Sequence, residues 1–313
     1  MKYILKKALT LIITLFIVSL LAFLAFAIIP GDPTTKILGT EATPEAVEAL
    51  REELGLNKNV FLRYFDWLID FVKGDFGISY SYYMSVSDML ADKLPITAML
   101  TVMSFIITLV ISIPLGVLLG MITNKAADTT LISVNQVAMS MPAFFIGMLL
   151  MYLCGNMMRM FIPGGFVSPE ESVVGYINYM FFPALSIAIP RIAMTVKMLR
   201  ASIHAEMDKP YVKTAKSRGA SRMRILFGHV LKNALIPSIT FLAVSAAEIM
   251  TGSIIIEQVF TVPGIGRLLL TSISARDFPV VQAIVVILAA WVVIINFVAD
   301  IVYQLIDPRI RIK

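Results

Sequence analysis

The chain has 313 residues, of which 58% are hydrophobic and 15% are charged. Soluble domains carry about a quarter charged residues, so the composition indicates a membrane protein and argues against a soluble enzyme. The formal charge of +5 is compatible with nucleic-acid binding, but an excess of Lys and Arg in cytoplasmic loops explains the same sign. We therefore expect no nucleic-acid partner.

The residue types that catalysis and metal binding need are scarce. The chain has two histidines, His204 and His229, and one cysteine, Cys154. No HExxH, GxSxG or GxxxxGK[ST] motif occurs, which removes the common signatures of metalloproteases, serine hydrolases and P-loop ATPases. We predict no catalytic residue, no metal site and no cofactor bound by this chain.

Six apolar segments are long enough to cross a bilayer, which takes about 20 helical residues. They are residues 8–29, 96–122, 131–158, 181–201, 237–257 and 280–306. The runs are continuous rather than alternating, which favours helices over strands. The predicted fold class is an all-α membrane protein with six transmembrane helices.

The charges of the loops predict the topology. Residues 30–95 contain 11 acidic and 6 basic residues, whereas residues 200–233 contain 8 basic and 2 acidic residues. The N-terminal MKYILKK and the tail DPRIRIK are also basic. Because basic segments stay on the cytoplasmic side, we place both termini and residues 200–233 in the cytoplasm. Residues 30–95 then lie outside.

The outer segment is predicted to contain two helices. Thr43 suits the N-cap position before Pro44, and Gly55 closes the first helix. The second helix carries aromatic residues at helical spacing, which are Phe61, Tyr64, Phe65, Trp67 and Phe71. Two interpretations stay open: an aromatic belt at the membrane surface, or a cap over the outer mouth of a membrane pathway.

A basic stretch between two apolar segments has the pattern of a bent pair of helices. Tyr211–Arg218 suits a short helix, Gly219 can end it in the left-handed conformation, and Ser221 can cap a second helix. The second helix has apolar residues at three- and four-residue spacing, which are Met223, Phe227, Val230, Leu231 and Ala234. This elbow either contacts a cytoplasmic partner or lies on anionic lipid.

The elbow resembles the EAA loop of ABC-importer permeases, in the version of the peptide and nickel branch. The matching positions are the triplet Lys213-Thr214-Ala215, then Gly219, then Leu235-Ile236-Pro237. Lys213 stands where the family has Glu, and the long gap between Gly219 and Pro237 suits the peptide branch. Further segments resembling that branch are IPGDPT (29–34), KGDFGISY (73–80), SMPAFFIGMLL (140–150), TVPGIGRLLLTSISARDFPVVQ (261–282) and DPRIR (307–311). The resemblance covers essentially the whole chain.

The resemblance implies a type I ABC-importer permease in a bacterial cell (inner) membrane. Its implied partners are a second permease subunit in a heterodimer, two ATP-binding subunits that use ATP and Mg, an extracytoplasmic binding protein and membrane lipid. The elbow is then the coupling helix, seated in a groove of an ATPase subunit. The residues assigned to this contact are Tyr211, Lys213, Thr214, Ala215, Lys216, Arg218, Gly219 and Arg222.

Two charged residues lie near the middle of predicted spans, where a charge costs about 3 kcal/mol or more. Arg191 lies in the fourth span and Glu248 in the fifth. We expect both to face the bundle interior, as a pair or along a substrate pathway, where a peptide would bring charges of both signs. The alternatives are a purely structural pair, or a protonated Glu248 bonded to a backbone carbonyl. In the second span, Gly116 and Gly120 form a GxxxG pattern that permits close helix approach.

The sequence thus predicts an importer permease for di- and oligopeptides. The alternatives are a nickel or metal-chelate importer of the same branch, an ion-driven secondary transporter, an intramembrane enzyme and a scaffold. The predicted divisions are residues 1–94 for the first span and outer segment, 95–306 for the transmembrane domain, and 307–313 for a cytoplasmic tail. The transmembrane domain includes the coupling loop at residues 205–237.

Overall fold

The structure, a computed structural model, describes residues 2–28, 42–53, 57–122 and 124–306, together with Thr34, Leu38, Gly39 and Gly55. Within this part of the chain the regular secondary structure is helical, apart from one antiparallel bridge between Ile78 and Ser85. The predicted tail at 307–313 and most of the IPGDPT segment lie outside the described residues.

The helices follow one another along the chain, and two of them continue into π-helical turns. They are α1 (Lys2–Ile28), α2 (Pro44–Glu53), α3 (Val60–Lys73), α4 (Val86–Met121), α5 (Lys125–Ser140), α6 (Ala143–Leu150) with the π turn Met151–Met157, α7 (Val173–Met207), α8 (Pro210–Ser217), α9 (Arg222–Ile225) with the π turn Leu226–Val230, α10 (Leu231–Phe260), α11 (Ile265–Ser274) and α12 (Phe278–Ile306).

Five stretches of helix within the described residues are long and apolar enough to cross a membrane, and one bent pair is a sixth candidate. The five are Leu5–Phe26, Val86–Met121, Val173–Met207, Arg222–Phe260 and Phe278–Val302. They confirm the predicted all-α fold and five of the six predicted spans. The helix across the fifth span begins before Pro237, which lies inside α10 instead of opening it.

The third predicted span, residues 131–158, is not one straight helix. α5 and α6 meet at a bend of 100°. Met141 precedes Pro142 and is extended, with φ −80° and ψ 129°, because the proline ring disfavours the helical conformation of the residue before it. The helix therefore ends at Ser140 and restarts in a new direction.

The chain divides into two compact units, Met1–Ile96 with Pro263–Ile294, and Thr97–Val262 with Ile295–Lys313. The predicted division between residues 94 and 95 stays a prediction. In the first unit, the predicted helix caps are confirmed: the Ala46 amide donates to Thr43 Oγ1 at 3.3 Å, and Gly55 has φ +64°.

Helix α3 packs one side against α1. Tyr64 is buried and its hydroxyl hydrogen-bonds Ser19 Oγ at 2.8 Å, while its ring stands edge-on to Phe16 and Phe23. The other side of α3 exposes Phe61, among other residues. Both interpretations of the aromatic helix, belt and cap, stay predictions.

In the second unit, α4 and α7 approach closely through glycine. A Cβ added at Gly116 would lie 2.8 Å from the Leu199 side chain, and one at Gly120 would lie 2.9 Å from Ile203. At such a spacing any larger residue would have to displace the Leu199 or Ile203 side chain, so glycine permits the close approach. The close helix approach predicted from the GxxxG pattern is confirmed.

Candidate functional site

The elbow has the predicted helix–glycine–helix geometry. Pro210 opens α8 at the first helical position, where its missing N–H costs nothing. After Arg218, Gly219 adopts φ +81°, a conformation that favours glycine. Ser221 then caps α9, because its side chain accepts a hydrogen bond from the Arg224 amide at 3.4 Å.

The elbow presents a cationic surface to solvent. Of the residues assigned from the sequence, Tyr211 and Ala215 are half-buried, and the remaining six are exposed: Lys213, Thr214, Lys216, Arg218, Gly219 and Arg222. From residue 211 to residue 237 the sequence contains no Asp or Glu. The exposed face of the elbow is thus suited to an acidic partner surface.

Two contacts fix α8 to the end of α7. The Tyr211 hydroxyl donates to Glu206 Oε2 at 2.7 Å, and Lys209 forms an ion pair with the same carboxylate. Burial raises the pKa of the Tyr211 phenol, and the hydrogen bond to Glu206 raises this pKa further. The phenol is therefore a neutral donor at physiological pH, and it holds the elbow in a defined orientation.

A hydrophobic cluster connects the elbow to the long helices. Its buried members are Val117, Leu199, Ile203, Val212, Ile225, Leu226, Val230 and Ala234. These residues come from α4, α7, α8, α9 and α10 with its preceding π turn. Because close-packed cores transmit displacement instead of absorbing it, movement of α8 would be passed to α7 and α10.

The predicted apolar face of the second elbow helix is partly wrong. Val230 and Ala234 are buried, but Met223 and Phe227 are 50% and 56% exposed. The cause is the π turn Leu226–Val230, which inserts an extra residue and ends the 3.6-residue spacing on which the prediction relied. Ile225 and Leu226 take the inward positions instead.

The structure brings together the two charged residues predicted inside the spans. Arg191 of α7 forms an ion pair with Glu248 of α10 through Nη1 and Oε2. Their side chains are 30% and 50% exposed respectively. The pair therefore lies on the surface of this chain and not in its interior, where both residues are expected from the sequence. It stands midway along two helices that can cross a membrane.

Glu248 belongs to an exposed stripe that follows the length of α10. The exposed positions recur every three or four residues and are Pro237, Thr240, Val244, Glu248, Thr251 and Ile255. Buried Leu242 and Ile249 mark the opposite side of the helix. A charged side chain at bilayer depth costs about 3 kcal/mol or more, so the stripe at Glu248 is better suited to water or to a polar partner than to lipid.

Sequence reasoning missed two polar contacts of the same unit. Arg200 of α7 binds Asp128 in the first turn of α5, and its Nη2 donates hydrogen bonds to the two carboxylate oxygens at 2.8 and 2.7 Å. Thr97 Oγ1 donates to Glu257 Oε1 at 2.6 Å, and both residues are inaccessible to solvent. Glu257 is the last residue of the predicted span 237–257, and an acidic residue at that place was the available signal for a buried polar contact. Nothing in the sequence indicates which base faces Asp128.

Within the described residues, no group of three or more His, Cys, Asp or Glu side chains is arranged to hold a metal ion. The polar contacts of the second unit instead hold helices together or lie on exposed surfaces.

Family comparisons cover almost the whole chain. Residues 112–312 match the family described as binding-protein-dependent transport system inner membrane component. Residues 1–101 match the corresponding N-terminal membrane component family.

Similar proteins match over their full length. A protein named as a peptide ABC transporter permease from Sinorhizobium fredii is 34% identical over 309 residues, which is 99% of either chain. The glutathione transport system permease protein GsiC of Escherichia coli is 32% identical over 313 residues, the whole of both chains. Among solved structures, an inward-facing MetNI methionine ABC transporter chain matches with TM-score 0.56 and 18% identity, covering 70% of this chain and 96% of that one. That structural likeness shows the fold alone.

Proposed function

Because the chain belongs to the family of binding-protein-dependent transport system inner membrane components, we propose that it is a permease subunit of an ATP-driven importer of short peptides. The observation that carries the proposal is the exposed basic elbow, anchored to α7 and α10 by the hydrophobic cluster. The names of the peptide and glutathione permeases that it resembles favour di- and oligopeptides as cargo.

The elbow is the contact with an ATP-binding subunit in this proposal. The contact residues are Tyr211, Lys213, Thr214, Ala215, Lys216, Arg218, Gly219 and Arg222. Two such subunits bind ATP and Mg, a second permease subunit pairs with this chain as a heterodimer, and an extracytoplasmic binding protein delivers the peptide. The chain spans a bacterial inner membrane with both termini in the cytoplasm, as its loop charges favour.

Transport then follows from the rigidity of the elbow. ATP binding closes the two ATPase subunits and displaces α8. The hydrophobic cluster passes the displacement to α7 and α10, which changes the packing of the membrane helices. ATP can shift the equilibrium between the two packings of the membrane helices only by binding one arrangement of the complex better than the other. In this proposal the elbow is the contact through which ATP binding acts on this chain.

The pathway lies along the exposed stripe of α10 in our proposal, with Arg191 and Glu248 at its middle. Their exposure midway along two helices that can cross a membrane supports this assignment, because such groups in membrane proteins usually face a water-filled cavity or the bundle interior.

Co-purification with a charge-reversed elbow tests the proposal. The tagged chain is expressed with its partner subunits and purified in mild detergent. Replacing Lys213 and Lys216 with Glu is expected to reduce the recovered ATPase about tenfold or more, because charge complementarity across an interface is lost. Lys232→Glu, an exposed base outside the assigned contact, serves as the matched control. If the wild-type chain is recovered without any ATP-binding subunit, the importer assignment fails.

The cargo is tested in proteoliposomes that contain the whole complex. We expect ATP and the loaded binding protein together to drive uptake of a labelled dipeptide, and an ion gradient without ATP to drive none. Uptake of a nickel chelate in place of peptide would favour the metal branch. Uptake driven by the ion gradient alone would favour a secondary transporter.

A further inference from the structure

We propose that the Arg191–Glu248 ion pair is an exchange site for zwitterionic cargo. The peptide carboxylate takes the place of Glu248 on Arg191, and the peptide ammonium takes the place of Arg191 on Glu248. This inference rests on the proposed function, since it assumes that peptides pass along α10. It adds a selection rule to that function: the permease itself recognises both free ends of a peptide.

The position of the pair fits such a site. Both side chains are accessible on one surface of the chain, and half of the Glu248 side chain is exposed. The neighbouring exposed positions on the stripe, Val244 and Thr251, carry no charge. A zwitterion moving along the stripe would therefore meet charges of both signs at one level of α10.

The exchange conserves charge. The empty site holds one cation and one anion in contact, so it is neutral within the membrane. When a zwitterion enters, one ion pair is replaced by two, and the site with its cargo is again neutral. Arginine suits the carboxylate partner, because its planar guanidinium can hold a carboxylate with two parallel hydrogen bonds. A single charge in this place would stay unpaired whenever the pathway is empty, which is costly at bilayer depth.

The dimensions also favour short peptides. An extended dipeptide spans about 7 Å, at 3.3–3.6 Å per residue, so Arg191 and Glu248 must part by about this distance to hold both of its ends. A longer peptide would separate its two ends further than the two side chains can follow. It would then bind by one end at a time.

The test compares capped and free peptides in three variants of the complex, reconstituted with the binding protein. The variants are Glu248→Gln, Arg191→Gln, and the double variant carrying both changes. The cargoes are one dipeptide with free ends, its N-acetyl form and its C-amide form. Uptake by each variant is divided by wild-type uptake of the same cargo, so that the preference of the binding protein cancels.

The double variant is expected to reduce uptake of the free dipeptide about tenfold, the loss of roughly one charge-assisted contact. Its uptake of either capped form is expected to fall by a clearly smaller factor. Each single variant leaves a charge unpaired and should lower the uptake ratio of every cargo. Glu248→Gln should lower the ratio of the N-acetyl form least, because this form has no ammonium group. Arg191→Gln should lower the ratio of the C-amide form least, because this form has no carboxylate. If all three cargoes fall by the same factor in every variant, the exchange site is refuted.

The reversed pair, Arg191→Glu with Glu248→Arg, is expected to recover uptake of the free dipeptide, since both charges are present again. The matched control is the double variant Asp128→Asn with Arg200→Gln, which removes an ion pair away from the stripe and should change all three cargoes equally.

A capped form that the binding protein does not deliver cannot be compared by uptake. Its binding is therefore measured directly on the purified complex. A Val244→Cys variant in a Cys154→Ala background is labelled with a charged thiol reagent. The free dipeptide should protect this cysteine better than the capped forms, and equal protection by all forms contradicts the exchange. If the wild-type complex takes up no dipeptide at all, the proposed cargo itself fails. If the wild-type complex takes up the dipeptide but the variants lose uptake of all three cargoes by the same factor, only the exchange site is overturned.

Discussion

Asp277 shows how one buried side chain organises a loop. The residue is inaccessible to solvent, and its carboxylate accepts hydrogen bonds from Ser79 Oγ at 2.5 Å and from the amides of Tyr80 and Ser81 at 3.0 and 3.2 Å. It thereby joins the turn that precedes α4 to the connection that precedes α12. All of these residues belong to the first compact unit.

At the scale of this residue we predict that Asp277→Asn destabilises the protein by about 1.5–3 kcal/mol, the contribution of hydrogen bonds to a charged group. An amide offers one acceptor oxygen, so at least one of the three donors would lose its partner. The free energy of unfolding in mixed detergent micelles measures the effect. Asp66→Asn, at an exposed ion pair with Lys58, is the control and should cost less than about 1 kcal/mol. Equal losses would contradict the role assigned to Asp277.

At the scale of elements, the elbow depends on the backbone of one glycine. Gly219 has φ +81°, and a Cβ added there would meet no atom within 4 Å. Gly219→Ala should therefore destabilise the elbow through backbone conformation alone, by about 1–2 kcal/mol. The thermal stability of the purified chain measures the loss.

Gly228 provides a matched control for that prediction. A Cβ at this position also meets no atom within 4 Å, but Gly228 lies in the helical π turn, and its φ is not positive. Gly228→Ala should be neutral or stabilising by about 0.5–1 kcal/mol. A similar loss of stability from both changes would mean that side-chain volume, and not the left-handed backbone, determines the cost.

At the scale of the whole molecule, the sequence predicts best what depends on local pattern. Length and apolarity predicted the membrane helices, and Gly219 and Ser221 predicted the elbow, because both rest on neighbouring residues along the chain. The bend at Pro142 was missed because other prolines, such as Pro183, lie inside continuous helices. The contacts of Asp128 with Arg200 and of Thr97 with Glu257 join residues far apart in sequence. Periodicity carries no information about such pairing.

In the proposed transport cycle, the Asp128–Arg200 pair extends the movement of the elbow across the helices. Arg200 lies near the end of α7 that carries Glu206, the acceptor of the Tyr211 hydroxyl, and Asp128 lies in the first turn of α5. The pair is about one-quarter exposed and bidentate, so it holds its geometry better than a surface ion pair does. It therefore connects the elbow end of α7 with the bent helix pair.

We predict that Asp128→Asn lowers peptide uptake per ATP hydrolysed in proteoliposomes, by about threefold to tenfold for the loss of a partly buried charged contact. The swapped pair, Asp128→Arg with Arg200→Asp, restores an ion pair and should recover part of the loss. Recovery stays incomplete because a basic residue in the first turn of α5 is unfavourable at the positive end of the helix dipole. ATP hydrolysis and uptake measured on the same vesicles give the ratio, and a double-mutant cycle gives the coupling between the two residues. If the swapped pair is as defective as the sum of the single changes, the two residues act independently, and the path from elbow to α5 runs through other contacts.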